Sequence, residues 1–324
     1  MPESTAIVLG GSAGVGHAVV RALLDRGHRV GVVARGAARL DRMAEEFGDR
    51  IAVAPADVAD AEALETAVDA LISALGKPAI WVNSAMLTSF SPFEKVDARE
   101  FQRIVDVTLI GQVNGTRLAL RHMTRGNIVN VGSGLGYRPV PYQAAYCASK
   151  HAINGFTSSV RSELIRDGRP IALSLVQLPA IDTPQFDWAM NRLGSKPQPA
   201  PPIFSPKVAA RAVLRAIDKD ARELFVGSSV LKLVFGNFVL PDWLDRKLSR
   251  DGAEMQKSDR PEPGDRPNNL YTPVDYAPSS TGSFGDRASE DGVIVDGDLA
   301  RKVAVGGVLG VGIVIGLLLA LLFD

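Results

Sequence analysis

From about residue 5 to about residue 227, short runs rich in Val, Ile and Leu alternate with longer stretches whose apolar side chains recur at three- and four-residue intervals. The short runs predict strands over 6–9, 29–34, 51–55, 80–83, 127–131, 172–178 and 223–226. The longer stretches predict helices over 16–26, 61–75, 97–123, 144–167 and 206–218. This alternation points to an α/β fold, a doubly wound parallel sheet of about seven strands covered by helices on both faces. The expected catalytic unit spans 1–227.

Beyond 227 the pattern changes three times. Within 228–250, the stretch 231–248 carries Phe235, Phe238, Leu240, Trp243 and Leu244. It predicts amphipathic helices that cover a pocket or lie against lipid. Across 251–300 roughly half the residues are Gly, Pro, Ser or Asp, a composition too poor in apolar groups to offset chain entropy, so a flexible tether is expected. Residues 303–323 then run without a charge. As a helix they would be roughly 31 Å long, against ~30 Å for the hydrocarbon core of a bilayer. Glycines at 306, 307, 310, 312 and 316 would each weaken a soluble helix by up to about 1 kcal/mol, which favours one transmembrane helix with membrane lipid as its partner. Arg301 and Lys302 before it, against Asp324 after it, place the catalytic domain in the cytoplasm on a C-terminal tail anchor. The spacings Gly306-x-x-x-Gly310 and Gly312-x-x-x-Gly316 permit close helix association.

Charge narrows the partners. With 36 Lys plus Arg against 36 Asp plus Glu, no global field draws nucleic acid, and none is expected as a partner. The single cysteine, Cys147, excludes an intramolecular disulfide and a thiolate cluster, so no metal site is expected. Glu3 and a short apolar run leading straight into glycines make the first residues a strand instead of a signal peptide.

Strand 6–9 ends in Gly10-Gly11-Ser12-Ala13-Gly14-Val15-Gly16, and a helix follows. Glycines there allow a tight turn and close backbone approach, so that helix-terminal N–H groups can point at a pyrophosphate. Gly10, Ser12, Gly14, Val15 and Gly16 are therefore candidates for dinucleotide binding on a Rossmann-type sheet. At the end of the second strand an acid would accept from a ribose 2′-hydroxyl, whereas a cation pairs with a 2′-phosphate. The chain has Ala34 followed by Arg35, with Arg39 one turn on. NADP(H) is thus expected over NAD(H).

Tyr146 and Lys150 stand four apart on the expected helix 144–167, hence on one face. A phenol with a pKa near ~10 is a poor base at neutral pH, and a neighbouring ammonium favours its phenolate. Ser133 lies just past strand 127–131, at the carboxyl end where open α/β sheets bind ligands. Its hydroxyl can donate to a substrate carbonyl oxygen while Tyr146 gives or takes the proton.

The spacing Gly10-x-x-x-Gly14-x-Gly16, with Ser133 and Tyr146-x-x-x-Lys150 following in order, resembles the short-chain dehydrogenase/reductase family from residue 5 to about 227. The resemblance implies that Ser133 orients the substrate, that Tyr146 is the general acid/base, and that Lys150 lowers its pKa and holds the coenzyme ribose. It places Asp57 and Val58 beside the adenine, and Thr183 at the nicotinamide carboxamide. Asn83-Ser84-Ala85-Met86 stands where relatives have Asn-Asn-Ala-Gly, which puts Asn83 and Ala85 on the coenzyme side. A fourth catalytic residue, an asparagine that helps relay protons, is replaced by Thr108, whose hydroxyl is expected to stand in. Met86, Tyr137, Tyr142, Phe186 and Trp188 are expected to wall an apolar pocket. Relatives also imply a homodimer or homotetramer. The expectation is an NADP(H)-dependent oxidoreductase that interconverts a small lipophilic carbonyl and alcohol at a membrane. Two alternatives stay open, a catalytically silent nucleotide-sensing or scaffold protein, motivated by Thr108, Met86 and Ala180, and an enzyme for carrier-bound or sugar substrates.

Overall fold

The computed structural model describes residues 4–264 and 266–307. Its centre is an eight-stranded sheet. In chain order the strands are β1 (Thr5–Leu9), β2 (Arg29–Ala34), β3 (Ile51–Pro55), β4 (Pro78–Asn83), β5 (Gly126–Ser133), β6 (Ile171–Leu178), β7 (Glu223–Val226) and β8 (Ile294–Asp296). They lie in the order β8-β7-β6-β5-β4-β1-β2-β3. The first seven are parallel, as expected; β8 adds an antiparallel edge on β7, pairing Leu224 with Asp296. The chain winds outward from β1 to β3 and then returns to start β4 beside β1. That reversal opens a crevice above the carboxyl ends of β1 and β4.

Alternation along each strand builds two cores. Ala6 and Val8 face one layer with Val19 and Leu23 of helix α1 (Gly14–Asp25), while Ile7 and Leu9 face the other with Leu64 and Leu71 of helix 61–75. Both faces are covered, so the strands read as nearly continuous apolar runs. Side chains fix the helix starts: Asp60 accepts from the Glu62 and Ala63 amides at 3.1 and 3.0 Å, and Ser205 caps helix Pro206–Lys219, whose first turn carries Pro206.

The structure changes the sequence reading in four places. A helix over Ala37–Phe47 is added after β2. The expected helix 97–123 is three pieces, Ala98–Val105, a π-helical turn Asp106–Ile110, and Gly111–His122. The sheet has eight strands because residues 294–296 return to it. The fourth change concerns 251–300, expected as a flexible tether. Instead it is a strap laid along the catalytic domain. Few apolar anchors are needed, chiefly Leu270 (1% exposed) and Phe284 (4%). Its main-chain carbonyls are held by arginines of the domain: Arg39 donates to Val274 O at 2.6 Å and Arg103 to Leu270 O at 3.1 Å. Satisfied backbone polar groups thus stand in for the apolar area that the composition lacks.

Among the described residues no helix is long and apolar enough to cross a membrane. The expected span 303–323 lies outside the described residues from 308 onward.

Candidate active site

The crevice is a cavity of about 810 Å³. The glycine loop forms its floor. Gly10 has φ +79°, and a Cβ there would stand 2.6 Å from the backbone of Ala85, so only glycine lets β1 and the loop after β4 touch. Gly10, Ser12, Gly14 and Val15 line the cavity. Gly16 does not; it packs against the Gly10 carbonyl and closes the turn. Arg35, Arg39, Asp57 and Val58 line the far end. Asp57 pairs with Arg103 and accepts the Ala59 amide at 3.0 Å, which fixes the loop after β3. Thr183 and Ala85 line the wall between loop and catalytic residues.

β5 ends in Ser133, and helix Ala144–Arg166 carries Tyr146 and Lys150 on adjacent turns, so the three side chains converge on the cavity. The Ser133 oxygen accepts the Leu135 amide at 3.1 Å, and its hydroxyl lies beside the Tyr146 phenol. Burial pushes the Tyr146 pKa up, and Ser133 pulls it partly back. Lys150 is 2% exposed, with Nζ 5.5 Å from the Tyr146 ring centroid and donating to Val131 O at 2.7 Å. Burial pushes its pKa down to about 7. At neutral pH the phenol therefore holds its proton and can give it.

Two expected site residues are elsewhere. Asn83 is 1% exposed and turned into the protein. Its amide accepts from Trp81 Nε1 at 2.9 Å and donates to Thr116 and Asn130 at 3.1 and 2.7 Å. These buried partners take up its hydrogen-bonding capacity, and the cavity wall there is built by Ser84, Ala85 and Met86 instead. Thr108 is fully buried; its hydroxyl accepts the Leu87 amide at 2.9 Å and donates to Leu87 O at 3.0 Å. It ties the π turn to the chain after β4 and does not reach the crevice. Tyr137 and Tyr142 also leave the expected wall. Tyr137 donates to Glu223 Oε1 at 2.7 Å, and burial together with that carboxylate raises its pKa.

Sequence reasoning missed Gln112, one turn beyond Thr108. Its Nε2 donates to Val131 O at 3.1 Å, the same carbonyl that Lys150 uses, and its Oε1 is buried without a partner. An i, i+4 step from Thr108 was the available signal. Trp188, expected on the substrate wall, lies at the far end instead, with the Arg39 guanidinium 4.8 Å from its ring centroid. The substrate end of the cavity is walled by Met86 and Phe186 together with Leu233, Trp243, Leu244 and Leu248. These last four lie on helices Gly227–Val239 and Pro241–Lys247 and the turn after them.

The short chain dehydrogenase family profile matches residues 4–191. An uncharacterized oxidoreductase of Bacillus subtilis, YxnA, is 29% identical over 280 residues, covering 84% of this chain and 78% of that protein. A 3beta-hydroxysteroid dehydrogenase of Eggerthella lenta is 32% identical over 188 residues, 56% of this chain and 71% of its own. Among solved structures, a dehydrogenase/reductase from Sinorhizobium meliloti is 28% identical with a TM-score of 0.59, covering 67% of this chain and 88% of its own. An actinorhodin polyketide ketoreductase crystallised with NADPH is 25% identical with a TM-score of 0.59, covering 66% and 90%. The converging Ser133, Tyr146 and Lys150 above a glycine loop, and a family match over more than half the chain, establish that this protein belongs to the short-chain dehydrogenase family and is an oxidoreductase of the dehydrogenase/reductase type.

Proposed function

We propose that the protein is an NADP(H)-dependent reductase of small lipophilic carbonyls. The observation that carries this reading is the convergence of Ser133, Tyr146 and Lys150 on a cavity whose substrate end is walled by Met86, Phe186, Leu233 and Leu244. The coenzyme site fits the residues present: the Gly10 cradle admits no Cβ, and Arg35 and Arg39 offer cations with no acid at Ala34. Glycine-loop amides would take the pyrophosphate, Arg35 the 2′-phosphate, and Lys150 the nicotinamide ribose. When bound, the reduced nicotinamide supplies a hydride to the carbonyl carbon. Ser133 donates a hydrogen bond to the carbonyl oxygen, and the Tyr146 Oη proton passes to that oxygen as negative charge develops on it. The phenolate left behind is stabilised by Lys150 and regains a proton from solvent. A phenol raised by burial suits this direction at neutral pH.

The same reading includes a membrane tether. Its supports are the uncharged sequence 303–323 and the short lead into it: Arg301, just before that segment, donates to the buried Glu223 of β7 at 2.5 Å, so little slack separates enzyme and span. Phe238 (87% exposed) and Trp243 (54%) sit on the helices that wall the substrate end, which suits a substrate drawn from lipid.

The coenzyme reading is tested through Arg35. Replacing it by alanine removes a charge-assisted contact to the 2′-phosphate, with hydrogen bonds to charged groups worth about 1.5–3 kcal/mol. The ratio of kcat/KM for NADPH over NADH is expected to fall about 10- to 100-fold. An unchanged ratio would refute the role given to Arg35.

A further inference from the structure

The strap runs across the very groups assigned to the coenzyme. Arg35 Nη2 donates to Asn269 O at 2.6 Å, and Nη1 to Leu270 O and Tyr271 O at 3.3 and 3.4 Å. Arg39 donates from Nε to Tyr276 O at 3.0 Å and from Nη2 to Val274 O at 2.6 Å. The Gly14 amide donates to Ser279 O at 2.8 Å. Past this point the strap crosses Thr183, where a Cβ on Gly282 would stand 2.5 Å from the Thr183 carbonyl oxygen. It is then clasped by the Phe284 amide donating to Asp182 Oδ1 at 3.0 Å. Main-chain carbonyls thus take up the two cations and a loop amide, the same donors that a 2′-phosphate and a pyrophosphate require.

We propose that residues 269–284 are a self-competing strap, a stretch of main chain that occupies the phosphate-binding donors and must lift off for the dinucleotide to use them. This rests on the coenzyme reading given above. The carbonyls are uncharged acceptors, whereas phosphate oxygens add the attraction of opposite full charges, and bidentate geometry, to bonds from the same guanidinium donors. The coenzyme therefore prevails, but only against the strap's closure, and its apparent Kd is the intrinsic value divided by the fraction of molecules with the strap open. The strap is built to be displaced. It has no regular secondary structure between residues 268 and 284, Tyr271 is 48% exposed, and the Asp275–Arg42 ion pair is exposed. Its deeper anchors are few: Leu270, the edge of Tyr276 on Trp188 at 5.2 Å, and Phe284 against Phe186 at 6.2 Å. A strap that merely roofed a bound coenzyme would leave the donors of Arg35, Arg39 and Gly14 facing the cavity. Here they face the strap.

Gly282→Val provides the test, because the added side chain cannot approach Thr183 and no residue assigned to catalysis or coenzyme binding is altered. In the full-length protein, titrated with NADPH by fluorescence, the variant is expected to bind at least fivefold more tightly than the wild type. In the wild type, hydrogen exchange over 269–284 is expected to speed up on saturation with NADPH. Equal or weaker binding by a folded variant would overturn the proposal. So would exchange that slows with NADPH in the wild type, a measurement that decides the matter alone should the variant misfold. If wild type and variant are both folded and neither binds NADPH, the coenzyme reading itself fails.

Discussion

Replacing Tyr146 by phenylalanine is expected to lower kcat for carbonyl reduction by about 10²- to 10⁴-fold, the range for a positioned general acid, while leaving the Kd for NADPH within about twofold. The ring keeps its place beside Lys150 Nζ, 5.5 Å from its centroid. Only the phenolic hydroxyl and its proton are lost. Steady-state turnover with an apolar ketone, together with a fluorescence titration of NADPH, separates the two effects. Retention of a tenth or more of kcat would mean that another group donates the proton. None of the other side chains described at the substrate end, from Met86 and Phe186 to Leu248, is an acid.

Lys150 gives the second large effect, with opposite signs for activity and stability. Its ammonium is buried, and burial has pushed its pKa from 10.5 down to about 7. Below about pH 7 folded and unfolded chains both carry the proton, and the cost of burying charge is felt in full. Between about 7 and 10.5 the unfolded chain alone holds it, so stability rises with pH; above that window the cost is gone. Lys150→Met keeps length and removes the charge. Val131 O, the lysine's acceptor, is still served by Gln112 Nε2 at 3.1 Å. The variant should therefore be as stable as wild type at pH 7, or more stable by about 1–3 kcal/mol, a Tm gain of up to a few degrees. It should lose the rise in stability with pH and lose turnover about 100-fold or more. Calorimetry at pH 7 and 9 reads the first, and NADPH oxidation the second. A fall in Tm of several degrees would show that the ammonium stabilises the fold.

How much of this was legible in the sequence follows from which interactions carry each feature. Seven parallel strands and the glycine turn were readable because local pattern sets them: short β-branched runs alternating with longer amphipathic stretches are what a parallel sheet covered on both faces leaves in a sequence, and Gly10 at φ +79° tolerates no other residue. Ser133, Tyr146 and Lys150 meet because two adjoining elements, β5 and the helix after it, fix them. Asn83 and Thr108 show where spacing stops helping. Both sit at the expected positions in the chain, but rotamer and partner decide what a side chain does, and theirs are Asn130 and Leu87 instead of the crevice. The strap was hidden for a related reason. Composition measures apolar area, whereas this segment is held by carbonyls that every residue carries, bonded to Arg35, Arg39 and Arg103, arginines more than 150 residues away in the chain.

Arg35 consequently has two partners in this account, the strap's carbonyls and a 2′-phosphate. The first raises the amount of coenzyme needed, and the second selects which coenzyme. Because strap opening enters the affinity of NADPH and NADH alike, it cancels in the ratio of the two, which reports the cations facing the 2′-phosphate, whereas the absolute Kd also carries the strap.

The most direct measurement is isotopic. Wild-type protein would be incubated with NADPH carrying deuterium at the nicotinamide C4 and with a panel of apolar ketones and aldehydes, and the products analysed by mass spectrometry. One deuterium on the carbinol carbon of at least one product, absent when Tyr146→Phe is used, is the predicted result. NADPH that binds but delivers no deuterium to any member of a broad panel would contradict the account and favour a nucleotide-sensing role on the same fold.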